Sequence, residues 1–271
     1  MPTLPFFQVD AFAERPFAGN PAAICLVREP LTTDRMQEIA AENNLSETAF
    51  IDLSAGAAAD PLHLRWFTPT VEVDLCGHAT LASGFVLLNE VAPQRTSVRF
   101  ATRSGVLTVA RGAGGAFLMD LPISHPQPID DGLRERLSTA ARLPLRDVVR
   151  GATAYFAEVE NAAAVRGAAP DLAAVAALGT SLCLTAAGDD GPDAVDFVSR
   201  FFAPAHGINE DPVTGSAHCT LAPYWGARLG KTRLRARQVS RRVGELTCEV
   251  LDSHVRLGGR CHLVITGQLQ A

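Results

Sequence analysis

Apolar and polar residues alternate in short runs along most of this chain, and turn formers separate the runs. That pattern predicts half-buried strands. They fall at residues 6–11, 49–53, 63–67, 97–102, 105–110, 116–121, 148–151, 153–159, 182–186, 195–202, 234–239, 245–250, 254–257 and 261–266. Residues 22–27 are apolar without a break, which fits a fully buried strand. Three segments switch to a helical period. One is capped by Thr33 or Asp34, carries a stripe of Met36, Ile39 and Ala40, and stops at Asn43-Asn44. The others cover 131–141 and, after the break at Pro170, 171–178. Many short strands and few helices predict an α+β fold with mostly antiparallel sheet.

Two stretches depart from this pattern. After Gly77, the run Ala79, Leu81, Ala82, Phe85, Val86, Leu87 and Leu88 leaves almost no polar face. A helix apolar all round belongs inside a domain. Its small residues Ala79, Ala82, Ser83 and Gly84 admit close backbone neighbours, so strands wrapped around a central helix are expected. A second such helix is expected after Gly215, kinked or shortened by Pro223. The lead-ins match as well. Arg65-Trp66-Phe67-Thr68-Pro69 precedes the first and Arg200-Phe201-Phe202-Ala203-Pro204 the second. The arginines are 135 residues apart and the glycines 138, so order and spacing hold together across half the chain. Two related halves follow, with the three-proline stretch 122–128 as the linker.

Composition narrows the class. With 271 residues, 47% of them hydrophobic and 20% charged, the chain is long enough for a large core and excludes global disorder. A net charge of -5 argues against a nucleic-acid partner. The cluster Arg233, Arg235, Arg237, Arg241 and Arg242 reads as a solvated strand face. No apolar run reaches the ~20 residues of a membrane span. Met1-Pro2-Thr3-Leu4-Pro5 shows no secretory leader. Six scattered cysteines without a C-x-x-C pair argue against structural zinc and a disulfide framework, and for a reducing cytoplasm.

The candidate chemistry gathers at the two glycine motifs. A helix N-terminus leaves N–H groups unpaired and carries partial positive charge. Two such ends facing one cleft would bind a small-molecule carboxylate without lysine. Gly77 and Gly215 allow close approach, with Ala79 beside the first; His78, Thr214 and Ser216 stand at the rim, and Ser216 is either a rim group or a helix cap. Glu47, in Asn44-Leu45-Ser46-Glu47-Thr48-Ala49-Phe50, is an unusual residue for a strand entering a core. It is either a buried hydrogen-bonded group or a proton carrier whose pKa a dry site would raise. Asp211 is either a turn aspartate or the holder of His78 or of a substrate amine. Cys76 could be a thiolate base at a helix start. The matching second position is Thr214, however, so a two-cysteine racemase is disfavoured and packing preferred. His218 and Cys219 read as packing residues. The remaining histidines show no ligand spacing, and no metal is assigned.

Taken in order, these motifs resemble the phenazine-biosynthesis-like (PhzF-like) family of the diaminopimelate epimerase-like superfamily. The resemblance rests on Asp10-Ala11-Phe12, Pro16-Phe17-Ala18-Gly19-Asn20-Pro21, Asn44 to Phe50, Cys76-Gly77-His78-Ala79-Thr80 and Asp211-Pro212-Val213-Thr214-Gly215-Ser216-Ala217. It implies two pseudo-symmetric domains, each a curved sheet around a central helix. It divides them as 1–118, completed by a C-terminal strand at 259–271, and 119–258. It also implies a site between them and a homodimer. In the phenazine enzyme one glutamate shuttles a proton between carbons of 2,3-dihydro-3-hydroxyanthranilate without a cofactor. The matching residue here is Glu47, and the family's histidine, aspartate and serine match His78, Asp211 and Ser216. That enzyme has a non-cysteine before its Gly-His pair and a proline after it. This chain has Cys76 and Ala79, which resembles the broader branch of the family and leaves the substrate open.

The resulting expectation is a cofactor-independent isomerase of a small, cyclic amino or carboxylic acid, with Glu47 as the one movable acid. Gly77, Ala79, Thr214, Gly215 and Cys76 would contact the substrate. One rival is an amino-acid racemase or epimerase using Cys76. Another is a non-catalytic protein-interaction member, against which the intact set Glu47, His78, Asp211 and Ser216 argues.

Overall fold

Each alternating run forms a strand in the computed structural model, which describes residues 3–271. Met1 and Pro2 of the pentapeptide read for a leader lie outside the described residues. The chain divides into two units, Met1–Asp120 with Gly258–Ala271, and Leu121–Leu257.

The first unit holds β1 (Thr3–Ala11), β2 (Asn20–Val27), α1 (Thr33–Asn43), β3 (Glu47–Asp52), β4 (Leu62–Phe67), β5 (Glu72–Val73), α2 (Gly77–Val86), β6 (Ser97–Thr102) and β7 (Gly105–Arg111). β8 (Phe117–Pro122) leads into the second unit. That unit holds β9 (Gln127–Pro128), α3 (Asp131–Ala141), β10 (Asp147–Arg150), β11 (Ala154–Glu158), α4 (Ala162–Arg166), α5 (Leu172–Ala176), β12 (Ser181–Ala187), β13 (Phe197–Ala203), β14 (Ile208–Asp211), α6 (Gly215–Leu229), β15 (Arg233–Gln238) and β16 (Gly244–Val250). β17 (His254–Gly259) leads back, and β18 (Cys261–Gln270) pairs antiparallel with β1.

The sheets are mixed, with the same pairing plan in both units. β1–β2 is antiparallel, β2–β3 parallel across α1, β3–β4 antiparallel, β4–β6 parallel with β5 alongside β4, and β6–β7 antiparallel. The second unit repeats this as β10–β11, β11–β12, β12–β13, β13–β15 with β14 alongside β13, and β15–β16. Side chains repeat too. Arg65 grips Glu72 in bidentate fashion at 2.7 and 2.8 Å, and Arg200 grips Glu210 at the same two distances. Each guanidinium lies over the phenylalanine two residues on, Phe67 at 5.1 Å and Phe202 at 4.9 Å. The repeat seen as motif spacing is therefore a repeat of topology and of bracing contacts.

In the first unit α2 is buried along its length apart from Phe85, and packs against β1, β2, β3, β7 and β18. A Cβ on Gly84 would stand 2.3 Å from Val109 Cγ1, so only glycine lets helix and strand approach this closely. Thr80 and Ser83, the polar residues in its interior turns, donate their hydroxyls back to the carbonyls of Cys76 and Ala79. In the second unit α6 is anchored by Trp225, which donates to Thr185 Oγ1 at 2.9 Å and stacks on Phe197.

Pro223 neither shortens nor divides α6, which runs fifteen residues. Proline removes one N–H and so orphans the carbonyl four residues earlier. That carbonyl, on Cys219, accepts the N–H of Ser124 at 3.1 Å instead. Two smaller expectations also change. The cap of α1 is Thr32, which accepts from Arg35 N–H, one residue before the predicted position. The short helix α4 was not foreseen. Arg233, Arg235 and Arg237 of the arginine cluster lie on β15, where Arg233 and Arg237 pair with their cross-strand partners Glu249 and Glu245, whereas Arg241 and Arg242 lie in the bend that follows. Among the described residues no helix is long and apolar enough to cross a membrane, and all six cysteines are free and buried.

Candidate active site

Glu47 reaches its place through the end of α1. Asn44 takes the left-handed conformation at φ 49°, stops the helix, and lets β3 start at Glu47. The parallel pairing of β2 with β3 sets Glu47 opposite Ala22, two residues beyond Asn20. The loop before Asn20 is tightly held. Asp10 is buried, and its Oδ2 accepts the N–H of Phe17 at 2.7 Å. Phe12 and Phe17 both adopt positive φ, a strain of roughly 1–2 kcal/mol for a non-glycine residue. At Gly19 (φ 63°) a Cβ would lie 2.2 Å from Ala11 O.

His78, second residue of α2, joins these elements. Its Nε2 lies 3.2 Å from Glu47 Oε2, and its Nδ1 lies 3.2 Å from Asn20 Nδ2 and 3.5 Å from Cys76 Sγ. The His78 side chain is 5% exposed and that of Glu47 15%. An amide nitrogen can only donate, so Nδ1 is the acceptor and the ring proton sits on Nε2, the nitrogen nearer Glu47. Burial pulls the His78 pKa down to about 3, so the ring is neutral at neutral pH. Cys76 is the N-cap of α2, and its sulfur faces the imidazole. Glu47, Cys76 and His78 each offer one donor atom, all within 4.8 Å of one another.

The second motif is built on a glutamine. Gln238, fully buried on β15, accepts the N–H of Thr214 at 2.9 Å and donates to Asp211 O at 2.7 Å and Thr214 Oγ1 at 3.2 Å. Thr214 in turn donates its hydroxyl to Asp211 Oδ2 at 2.6 Å, which orients the carboxylate. Ser240 Oγ donates to Pro212 O. The N-cap of α6 is Thr214, not Ser216, which is partly buried on the first turn. His218 is buried, its Nδ1 donates to Thr214 O at 2.8 Å, and burial lowers its pKa to about 4. Neither Cys76 nor Thr214 caps its helix through the side chain. Both helices therefore start with N–H groups that no capping side chain satisfies, the arrangement that suits an anion.

Asn20 and Gln238 have no role in the sequence reading. Asn20 sits inside a quoted motif, and Gln238 is a polar residue on a buried strand face; each contacts a helix start, 58 and 24 residues away in the chain.

Comparison with known proteins covers almost the whole chain. The family model for phenazine biosynthesis-like protein matches residues 9–267. A Pseudomonas aeruginosa protein named an uncharacterized isomerase is 47% identical over 98% of both chains. The crystal structure of a PhzF-family phenazine biosynthesis protein from Enterococcus faecalis superposes with TM-score 0.89 at 41% identity, covering 100% of both chains. A hydroxyproline epimerase from Agrobacterium vitis superposes with TM-score 0.60 at 11% identity, over 98% of this chain and 91% of its own. That likeness concerns the fold alone, and with the others it identifies the architecture as diaminopimelate epimerase-like.

Proposed function

This chain belongs to the phenazine biosynthesis-like family, and from that premise we propose a cofactor-independent isomerase that moves a proton between carbons of a small cyclic amino or carboxylic acid. One observation carries the reading: Glu47 Oε2 lies 3.2 Å from Nε2 of a neutral His78 on the uncapped first turn of α2. Relatives named isomerases support it.

Glu47 starts ionised, its Oε2 beside His78 Nε2. It takes a proton from a carbon made acidic by a neighbouring carboxylate or conjugated system. The Nε2–H of His78 stabilises the negative charge developing on the substrate, together with the backbone N–H groups after Gly77 and beside Ala79. While it sits on the Glu47 carboxyl the proton exchanges with solvent, and Glu47 then delivers a proton to a remote carbon. Thr214, Gly215 and Ser216 offer anion contacts, and Asp211, oriented by Thr214, holds a substrate amine. The protein works as a homodimer in the cytoplasm, where its cysteines stay reduced.

A second reading has its own observation. Cys76 Sγ lies 3.5 Å from His78 Nδ1, so the thiol has a base beside it and could act in racemisation. Cyclic and linear amino acids and related carboxylic acids incubated in deuterium oxide separate the two, read by mass. Isomerisation through Glu47 predicts exchange into at least one of them that survives Cys76→Ser. Exchange that collapses in Cys76→Ser favours racemisation, and no exchange with any acid refutes both.

A further inference from the structure

The internal repeat carries one mismatch, and it lies beside a cavity. The offset of 138 residues between Gly77 and Gly215 also relates Glu72 to Glu210, Asp74 to Pro212 and Arg103 to Arg241. In the first unit Arg103, in the turn after β6, pairs with Glu72 at 2.6 Å and with Asp74 at 3.4 Å. In the second, proline stands where the aspartate would be and Glu210 pairs with Arg200. Arg241, in the bend after β15, has no ion pair or side-chain hydrogen bond among the described residues. It lines a cavity of about 660 Å³ in the second unit instead. We propose that this cavity binds a small organic carboxylate, which takes on Arg241 the place that Asp74 takes on Arg103, and that filling it steadies the motif at 211–214.

Size and charge both fit such a ligand. The volume lies within the range of small-molecule pockets. Four arginines, Arg166, Arg200, Arg237 and Arg241, face two glutamates, Glu210 and Glu245. Arg200 is committed to Glu210 and to the carbonyls of Arg166 and Ala168, and Arg166 to Asp189. Arg237 holds Glu245 Oε1 through Nε and Nη2, which leaves its Nη1 uncommitted among the described residues. With Asp189 set against Arg166, one positive charge is left over, on Arg241, and one carboxylate neutralises it. A guanidinium offers a carboxylate two parallel N–H donors. Val239 and Val243 give an organic body an apolar wall.

The lip of the cavity is fixed, and the same contacts reach the second motif. Ser240 Oγ accepts the N–H groups of Arg242 and Val243, both at 3.3 Å, and donates to Pro212 O at 2.9 Å. Val243, 38% exposed, holds φ 58°, a left-handed conformation that is costly for a β-branched residue. Strain of this kind gathers at ligand clamps. A carboxylate on Arg241 restrains the bend that carries Ser240, and Ser240 in turn holds Pro212. Two residues earlier, Gln238 accepts the N–H of Thr214. The bend and the motif are therefore restrained together.

Methyl-labelled full-length protein titrated with sodium benzoate at constant ionic strength tests the site without any substrate. The Val239 and Val243 methyl resonances should shift along one saturating curve. Arg241→Ala should weaken that binding by roughly 10-fold or more, the loss expected of one charge-assisted contact. Arg233→Ala, on β15 but outside the cavity lining, should leave it unchanged. Benzamide has the same shape without the charge and should not bind. Unshifted valine methyls, an affinity unaltered in Arg241→Ala, or benzamide binding as well as benzoate overturns the site. With benzoate at saturation, amide hydrogen exchange at Thr214 should slow in the wild-type protein and not in Arg241→Ala. An exchange rate that benzoate leaves unchanged overturns the link to the motif. Each of these failures leaves the isomerase reading standing, because no step of it uses Arg241.

Discussion

Asn20→Ala tests the placement of the one proton on which the proposed chemistry turns. Asn20 Nδ2 donates to His78 Nδ1 at 3.2 Å in a position closed to water, and that bond keeps the ring proton on Nε2, the nitrogen nearer Glu47. Leaving a buried acceptor unmet costs about 1–3 kcal/mol. Cys76 Sγ remains 3.5 Å from the same nitrogen as a weak S–H donor, so the lower part of that range applies, about 1–2 kcal/mol. If that energy separates the tautomers, its loss changes their ratio by about 5–30-fold, and the rate falls by a similar factor. Asn20→Asp should go further, because a carboxylate beside Nδ1 draws the proton there and turns the Nε2 lone pair toward Glu47. The assay is a two-bond proton–nitrogen correlation spectrum of His78, with the deuterium-exchange rate measured beside it. A variant Asn20→Ala that keeps the Nε2–H tautomer, exchanges at the wild-type rate and loses less than about 0.5 kcal/mol of stability refutes the reasoning.

Other outcomes follow from the same contacts. Gln238→Ala strips partners from two backbone groups, the N–H of Thr214 and the carbonyl of Asp211. It should lower stability by about 2–4 kcal/mol and raise KM more than it lowers kcat, and an unchanged melting temperature with unchanged KM would contradict this. Stability should fall on acidification. Burial holds His78 at about 3 and His218 at about 4, against an ordinary 6.5, so between those values the unfolded chain binds more protons than the folded one. The contribution of each is complete above pH 6.5 and is lost as the pH falls towards the folded value, by up to about 1.4 kcal/mol per group per pH unit. Urea unfolding at about pH 7.5 and about pH 5 should show the loss, and equal midpoints would speak against it.

Much of this architecture is readable in the residues because it rests on local rules. The run after Gly77 has no polar face and can only be a core helix. Strands betray themselves by alternation, and the halves by the distance between like motifs. What the residues hide depends on partners far off in the chain. Pro223 looks like a helix breaker until Ser124, 99 residues earlier, is seen to satisfy the orphaned carbonyl. The helix α4 is mostly alanine and too short to show a period. The candidate site divides along the same line. Glu47 and His78 stand out as a misplaced carboxylate and a histidine at a glycine-led helix start. Their 3.2 Å contact, the tautomer set by Asn20 and the approach of Cys76 to the ring exist only once β2, β3 and α2 meet. Gln238 is invisible for a related reason: an amide on a strand carries no sign that its partners are the backbone of a loop 24 residues away.

Glu47→Gln, assayed for deuterium exchange into any acid that the wild-type protein labels, bears most directly on the proton carrier. It keeps the size and one oxygen of the side chain and removes the base. Loss of a positioned general base costs about 10²–10⁴ in rate, so exchange should fall by at least two orders of magnitude while the acid still binds. Exchange at the wild-type rate in Glu47→Gln would contradict the assignment of Glu47 as the group that moves the proton.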